Sequence, residues 1–310
     1  MLPFRLKPVY KNYLWGGTRL LNWGKTPEKM PLAESWELAA HKDGDNLILD
    51  GSCKSLTLSE AVKKFPGLVS SSFDSRENFP LMVKLIDSKQ PLSIQVHPDN
   101  DYAMKIESSS GKTEMWYVLD STPDSYIYLG FKQKISREDF KNAILNHTLP
   151  ELLQKFQVHK GDTFFIPAGT IHEIGPGNLL VEVQQNSNIT YRVYDYGRRD
   201  SDGNLRELHI DKALDVANLE PINPEPPGKS KNLLVNCDKF RVERLYLQGN
   251  YNGKINNCFQ FILCVSGQVK FECGGFNCVL EAGKNVFVPA NCEESFTLNG
   301  MGELLITTEH

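Results

Sequence analysis

Four short segments carry side chains suited to holding an ion: Gln95 and His97 in LSIQVH, Glu114 in GKTEMWY, and His172 in PAGTIH. An extended strand sends alternate side chains to one face, so Ser93, Gln95 and His97 point together while Leu92, Ile94 and Val96 take the other side. The same spacing joins Lys112 to Glu114, Glu182 to Gln184, and Asn188 to Thr190, Arg192 and Tyr194. For any one strand, a solvent face explains such alternation equally well. Ordinary solvent faces are mostly Lys, Glu, Thr and Ser, however, whereas Gln, His, Glu and His are types that coordinate a divalent metal. Two neutral imidazoles, an amide and one carboxylate leave such an ion net positive. That makes it a Lewis acid, and four protein ligands with room for water or a substrate oxygen match one zinc ion. A lone histidine in a strand is more often a hydrogen-bonded core residue, and His41, His147, His159, His209 and His310 are given that structural reading or a solvent one.

Lys84 lies in the middle of the apolar run LMVKLI, where an unpaired buried ammonium costs several kcal/mol. It calls for an anionic partner, unless it is an edge residue whose stem snorkels. Lys112, Arg192, Arg198 and Arg199 add positive groups to the same end, a cluster that a phosphate would explain. The chain has no glycine-rich phosphate loop and no G-x-S-x-G elbow, which disfavours nucleotide-binding and serine-hydrolase readings.

These residues need strands to align them. From Pro80 onward the chain is a series of strand-length runs rich in β-branched and aromatic residues, including LMVKLI, EMWYVL, SYIYLG, DTFFIP, LLVEVQ and ITYRVYD. They are too closely spaced for βαβ units, so the expected fold is mainly β. A helical insertion is expected at about 136–157, with Ser136 as cap and Asp139 complementing it. Shorter helices are expected over Ser59–Phe65 and Asp99–Glu107. The stretch PINPEPPGKS, residues 221–230, has four prolines and reads as a linker between a catalytic domain, 1–220, and a C-terminal domain, 231–310.

KGDTFFIPAGTIHEI, residues 160–174, aligns with AGKNVFVPANCEESF, residues 282–296, matching Gly161 to Gly283, Phe165 to Phe287 and Pro167 to Pro289. Glycine turn, buried strand and Pro-Ala corner resemble the second motif of the cupin barrel, implying two cupin-type β-barrel (jelly-roll) domains. Where the first copy has His172 the second has Glu294, so the C-terminal domain is expected to lack metal ligands.

At 310 residues with 34 basic and 38 acidic side chains, the chain is long enough for two domains and has no basic block for nucleic acid or an anionic membrane. Nothing approaches the roughly 18 uninterrupted apolar residues of a membrane span. A cytoplasmic protein is expected. Seven cysteines without a CxxC pair argue against a zinc ribbon or thioredoxin-type couple. Six of them fall between Cys237 and Cys292, where they read as small apolar side chains filling a β core.

Nearly the whole chain resembles the type I phosphomannose (mannose-6-phosphate) isomerases in their shorter bacterial form. The resemblance is carried by KPVYKNYLWGG, ESWELA, FPLMVKLIDSKQPLSIQVHPDN, GKTEMWYVLD, FIPAGTIHEIG and ITYRVYDYGR. It implies one zinc held by Gln95, His97, Glu114 and His172, and interconversion of mannose 6-phosphate and fructose 6-phosphate through a cis-enediol. Arg192 falls on the family's active-site arginine, Lys112 and Glu182 on candidate proton-transfer residues, and Lys84, Ser93 and Arg198 on positions proposed to bind or attract substrate. Asn188 departs from the family, which commonly carries aspartate there. The implied partner is a small sugar phosphate, acting on a monomer or homodimer. Rival readings are a non-catalytic cupin that senses a sugar phosphate, and an iron-dependent cupin oxygenase, against which Gln95 argues. Trp15, Trp36 and Trp116 are candidates to line a sugar pocket or simply to pack.

Overall fold

A computed structural model describes residues 1–74, 76–199, 202–222, 232–292 and 295–310. Residues 223–230 of the expected linker, and Glu294, lie outside the described residues. Strands dominate and helices are few and short, in line with the mainly β class read from the sequence. By contacts the chain forms two compact units, one of Met1–Asn12, Thr18–Leu85 and Ser230–His310, the other of Tyr13–Gly17 and Ile86–Lys229. This grouping differs from a continuous unit over 1–220. The reason lies in the first strands: Phe4 and Phe287 exchange backbone hydrogen bonds at 3.0 and 2.8 Å and stack their rings at 5.0 Å.

The second unit is built from two sheets. One contains, in spatial order, Leu153–Gln157, Tyr126–Phe131, His172–Ile174, Ile94–Val96 and Tyr191–Tyr194. The other sets Thr163–Ile166, Glu114–Ser121 and Asn178–Gln185 side by side. Alternation works as the sequence requires: Ile94 and Val96 enter a core with Phe131, Phe140, Ile171, Tyr191 and Val193. Their polar neighbours Ser93 and His97 are also buried, on the opposite face. That excludes the solvent-face reading for this strand.

Helix Asn100–Glu107 starts where Asp99 accepts the Tyr102 N–H, and Arg137–Leu145 where Ser136 accepts that of Asp139. The helical reading of 136–157 is too long. His147 adopts a left-handed backbone, φ 59°, after the first helix, and Pro150 opens a separate turn over Leu149–Leu152. Leu153–Gln157 is then captured as a strand by the free edge of Tyr126–Phe131, with Phe156 opposite Ile127.

In the first unit, helix Leu58–Lys64 opens on a reciprocal capping box of Thr57 and Glu60. Three long antiparallel strands, Phe240–Lys254, Ser295–Glu309 and Gln260–Cys273, form the centre of a six-stranded sheet. Its core includes Cys264 and Cys273 beside Ile262, Phe271, Leu280 and Val286, with Cys278 and Cys292 packed against it. None of the seven cysteines is in a disulfide. The internal repeat persists in backbone geometry: Gly161 and Gly283 both turn with left-handed φ, 88° and 81°, just before Thr163–Ile166 and Asn285–Val288.

Candidate metal centre and active site

Two strand registers assemble the centre. Gln95 pairs with His172 on one side and with Arg192 on the other, so these three side chains leave one face of one sheet. Glu114 is opposite Gln184, and Trp116 opposite Glu182, on the facing sheet of the same unit. Between the sheets, His97 Nε2 lies 3.7 Å from Glu114 Oε2 and His172 Nε2 lies 3.4 Å from Glu114 Oε1. One ligand atom from each of these three residues falls within 4.8 Å of the others, and all three residues are buried. Among the described residues this is the group of His, Cys, Asp and Glu side chains so arranged.

Each imidazole commits its other nitrogen to the main chain. His97 Nδ1–H donates to Ile189 O at 2.7 Å, and His172 Nδ1–H to Thr170 O at 2.8 Å. Both Nε2 lone pairs are thereby turned toward the carboxylate, the tautomer a metal ligand needs. Complete burial pushes the His172 pKa down to about 4, so this ring is neutral near pH 7. Gln95 Nε2 is 3.3 Å from His172 Nε2, and Gln95 Oε1 accepts from Ser93 Oγ at 3.3 Å. A half-turn of the amide exchanges its oxygen and nitrogen without a change of shape and presents the oxygen to the centre. The donor set, two neutral imidazoles and a carboxylate with an adjacent amide, fits a divalent cation.

Lys112 and Glu182 adjoin this group. Lys112 Nζ is 3.0 Å from Glu114 Oε2 and 3.9 Å from Glu182 Oε1. Glu182 Oε2 accepts the Trp116 indole N–H at 3.0 Å. Trp116 is fully buried, so it orients a carboxylate and packs edge-on against His172 at 5.5 Å.

Arg192 is half-buried, with one guanidinium N–H donated to Glu207 O at 3.0 Å. Its Nε is buried without a hydrogen-bond partner among the described residues. Burial, reinforced by neighbouring Arg206, lowers its pKa. Arg198 donates to Asp195 and to Pro91 O, and Arg206 Nε donates to Asp195 Oδ2 at 2.6 Å. Two guanidiniums thus hold one nearly buried carboxylate, and with Arg192 electrostatically coupled to it a surplus of positive charge remains.

Lys84 is buried rather than snorkelling, and its ammonium lies 5.3 Å from the Trp36 ring centroid in the first unit. Asn188 is exposed in the loop before Tyr191–Tyr194, and Arg199 is exposed with its guanidinium on Gly203 O.

The sequence does not single out Asp195 or Arg206, and it gives His209 only a structural or solvent role. His209 exchanges two hydrogen bonds with the Arg192 backbone, accepting its N–H on Nδ1 at 3.2 Å and donating its own N–H to Arg192 O at 2.8 Å. No spacing rule reveals it, because residues 192 and 209 meet only through the fold.

The family model "Phosphomannose isomerase type I, catalytic domain" matches residues 3–126, and "Mannose-6-phosphate isomerase, cupin domain" matches residues 229–309. Mannose-6-phosphate isomerase ManA of Bacillus subtilis is 34% identical over 98% of both chains. The mannose-6-phosphate isomerase of Streptococcus mutans is 33% identical over 98% of this chain and 97% of its own. A crystal structure of the Bacillus subtilis mannose 6-phosphate isomerase superposes with a TM-score of 0.90 at 31% identity, covering 99% of each chain. On this full-length similarity the chain belongs to the type I phosphomannose isomerases.

Proposed function

We propose that the protein interconverts mannose 6-phosphate and fructose 6-phosphate through a cis-enediol, with zinc held by Gln95, His97, Glu114 and His172. The observation that carries this reading is the buried His97, Glu114 and His172 group with Lys112 and Glu182 directly beside it. When bound, the ion supplies a Lewis acid that polarises the oxygens at the reacting carbons.

The chain's own residues do the rest. Aldose–ketose isomerisation moves a proton between C1 and C2 on one face of the sugar, so it needs one group able to take a proton and return it. Glu182 is such a group: the Trp116 N–H holds one oxygen and directs the other toward Lys112. Lys112, between two carboxylates, is placed to donate to a substrate oxygen as negative charge develops. Arg192, whose buried Nε has an unused proton, is placed for the same task. Arg198, with Arg206 and the electropositive surplus around Asp195, anchors the phosphate, while Ser93 orients the Gln95 amide and Lys84 adds to the attraction of a dianion. The protein is proposed to work in the cytoplasm, as a monomer or homodimer; no helix among the described residues is long and apolar enough to cross a membrane.

The test is Glu182→Gln with turnover, metal content and solvent-deuterium incorporation measured together. The expected variant keeps its metal, loses about 100-fold or more in kcat, and stops exchanging label into the sugar. Near-normal turnover and exchange would remove Glu182 as the proton carrier.

A further inference from the structure

The six cysteines between Cys237 and Cys292 are not all equivalent core fillers. Cys273 closes the strand Gln260–Cys273 opposite Phe276, across a Gly274–Gly275 turn whose two left-handed φ values, 57° and 85°, fix the hairpin end. Cys292 ends a turn after Asn285–Val288, where its N–H donates to Pro289 O at 3.1 Å. These two turns bring the thiols to a sulfur–sulfur distance of 3.3 Å, with Cys273 also 3.4 Å from Ser295 O. Neither thiol is bonded to the other. Only about 1.3 Å of closure separates this contact from a covalent length of about 2.0 Å. Cys292 is partly exposed, and a surface cavity of about 360 Å³, lined by Cys273, Gly274, Gly275, Phe276 and Ser295, opens on the more buried partner.

We propose that Cys273 and Cys292 are a reversible dithiol–disulfide modification site, oxidised by a low-molecular-weight disulfide. The thiolate of Cys292, the more exposed sulfur, attacks one sulfur of the small disulfide; one small thiolate leaves and takes up the proton lost by Cys292. Cys273, giving up its own proton, then attacks the Cys292 sulfur of the mixed disulfide and expels the second small thiolate, which is protonated in turn. One intramolecular bond and two small thiols result, so the protein loses two electrons and two protons and the small disulfide gains them. The bridge spans residues 19 apart and pins the hairpin end to the Pro289–Cys292 turn, which removes freedom from the unfolded chain. It is independent of the isomerase chemistry.

The test equilibrates the native full-length protein with a series of reduced and oxidised glutathione mixtures, followed by acid quenching, alkylation in denaturant and peptide mapping. The expected result is a Cys273–Cys292 cross-linked peptide in the oxidising mixtures, loss of two of the seven alkylatable thiols, and a higher melting temperature, all reversed by dithiothreitol. In Cys273→Ser, Cys292 is expected to retain glutathione as an unresolved mixed disulfide. Recovery of both cysteines alkylated, or as separate glutathione adducts, across the whole series would overturn the proposal. So would a cross-link from either one to another cysteine.

Discussion

His172 and Glu173 are consecutive residues whose burial drives their proton equilibria in opposite directions. Burial holds the His172 pKa down to about 4, below its ordinary 6.5, whereas burial pushes the Glu173 carboxyl up to about 8, where it accepts the Tyr196 hydroxyl at 2.6 Å. For His172 the unfolded chain binds the extra proton, so stability present above pH 6.5 is lost as pH falls toward 4. For Glu173 the folded chain binds it, so that contribution is full below the ordinary carboxyl pKa and is lost as pH rises toward 8. The two oppose each other between about pH 4.5 and 6.5. Separating them needs a comparison: relative to His172→Gln, the metal-stripped parent is expected to lose up to about 3 kcal/mol of unfolding free energy between pH 7 and pH 4. Urea unfolding at several pH values checks this, and a pH-independent difference would contradict a buried neutral imidazole. At this scale the residue types of the His97, Glu114 and His172 group were legible, because few other side chains can coordinate metal. The supporting contacts were not: the carbonyl acceptors Ile189 O and Thr170 O have no sequence signature.

The strand is the element that makes distant residues into a site. Strict alternation in LSIQVH put Gln95 and His97 on the face opposite Ile94 and Val96, and the registers with His172 and Arg192 complete the set. Alternation reads from one sequence; register does not, which is why Asp195 and Arg206 escaped notice and the pairing of His209 with Arg192 could not be foreseen. The same limit explains the error over Leu153–Gln157, where a free sheet edge outweighed a locally plausible helix. Asp195 gives a prediction at this scale, since it clamps Arg198 and Arg206 just beyond the strand that carries Arg192. Asp195→Asn keeps the shape but weakens both charge-assisted bonds. The expected effect is a rise in KM of about tenfold with kcat changed much less, measured by steady-state kinetics. An equal loss confined to kcat would place Asp195 in the chemistry instead.

Across the whole molecule, the linker at 221–230 suggested a simple succession of domains, yet contacts group the first strands with the C-terminal segment. Long-range packing of this kind leaves no mark in local composition. Part of it is ionic: Lys25 Nζ is 2.7 Å from Glu37 Oε1 and donates to Gly283 O, while Glu37 also accepts from Ser35 and Asn285. Both charged side chains are buried, so Lys25→Met leaves Glu37 uncompensated and is expected to cost about 3–5 kcal/mol in chemical denaturation. A loss under about 1 kcal/mol would show that the pair does little to join these segments.

Metal-dependent isomerisation of sugar phosphates by this chain is tested most directly by a coupled assay of mannose 6-phosphate conversion to fructose 6-phosphate. Purified protein is assayed as prepared, after chelation, and after zinc is added back. A metal-dependent isomerase gives turnover that chelation abolishes and zinc restores. Zinc-loaded protein that binds the sugar phosphate without converting it would contradict the account and leave a sensor in its place.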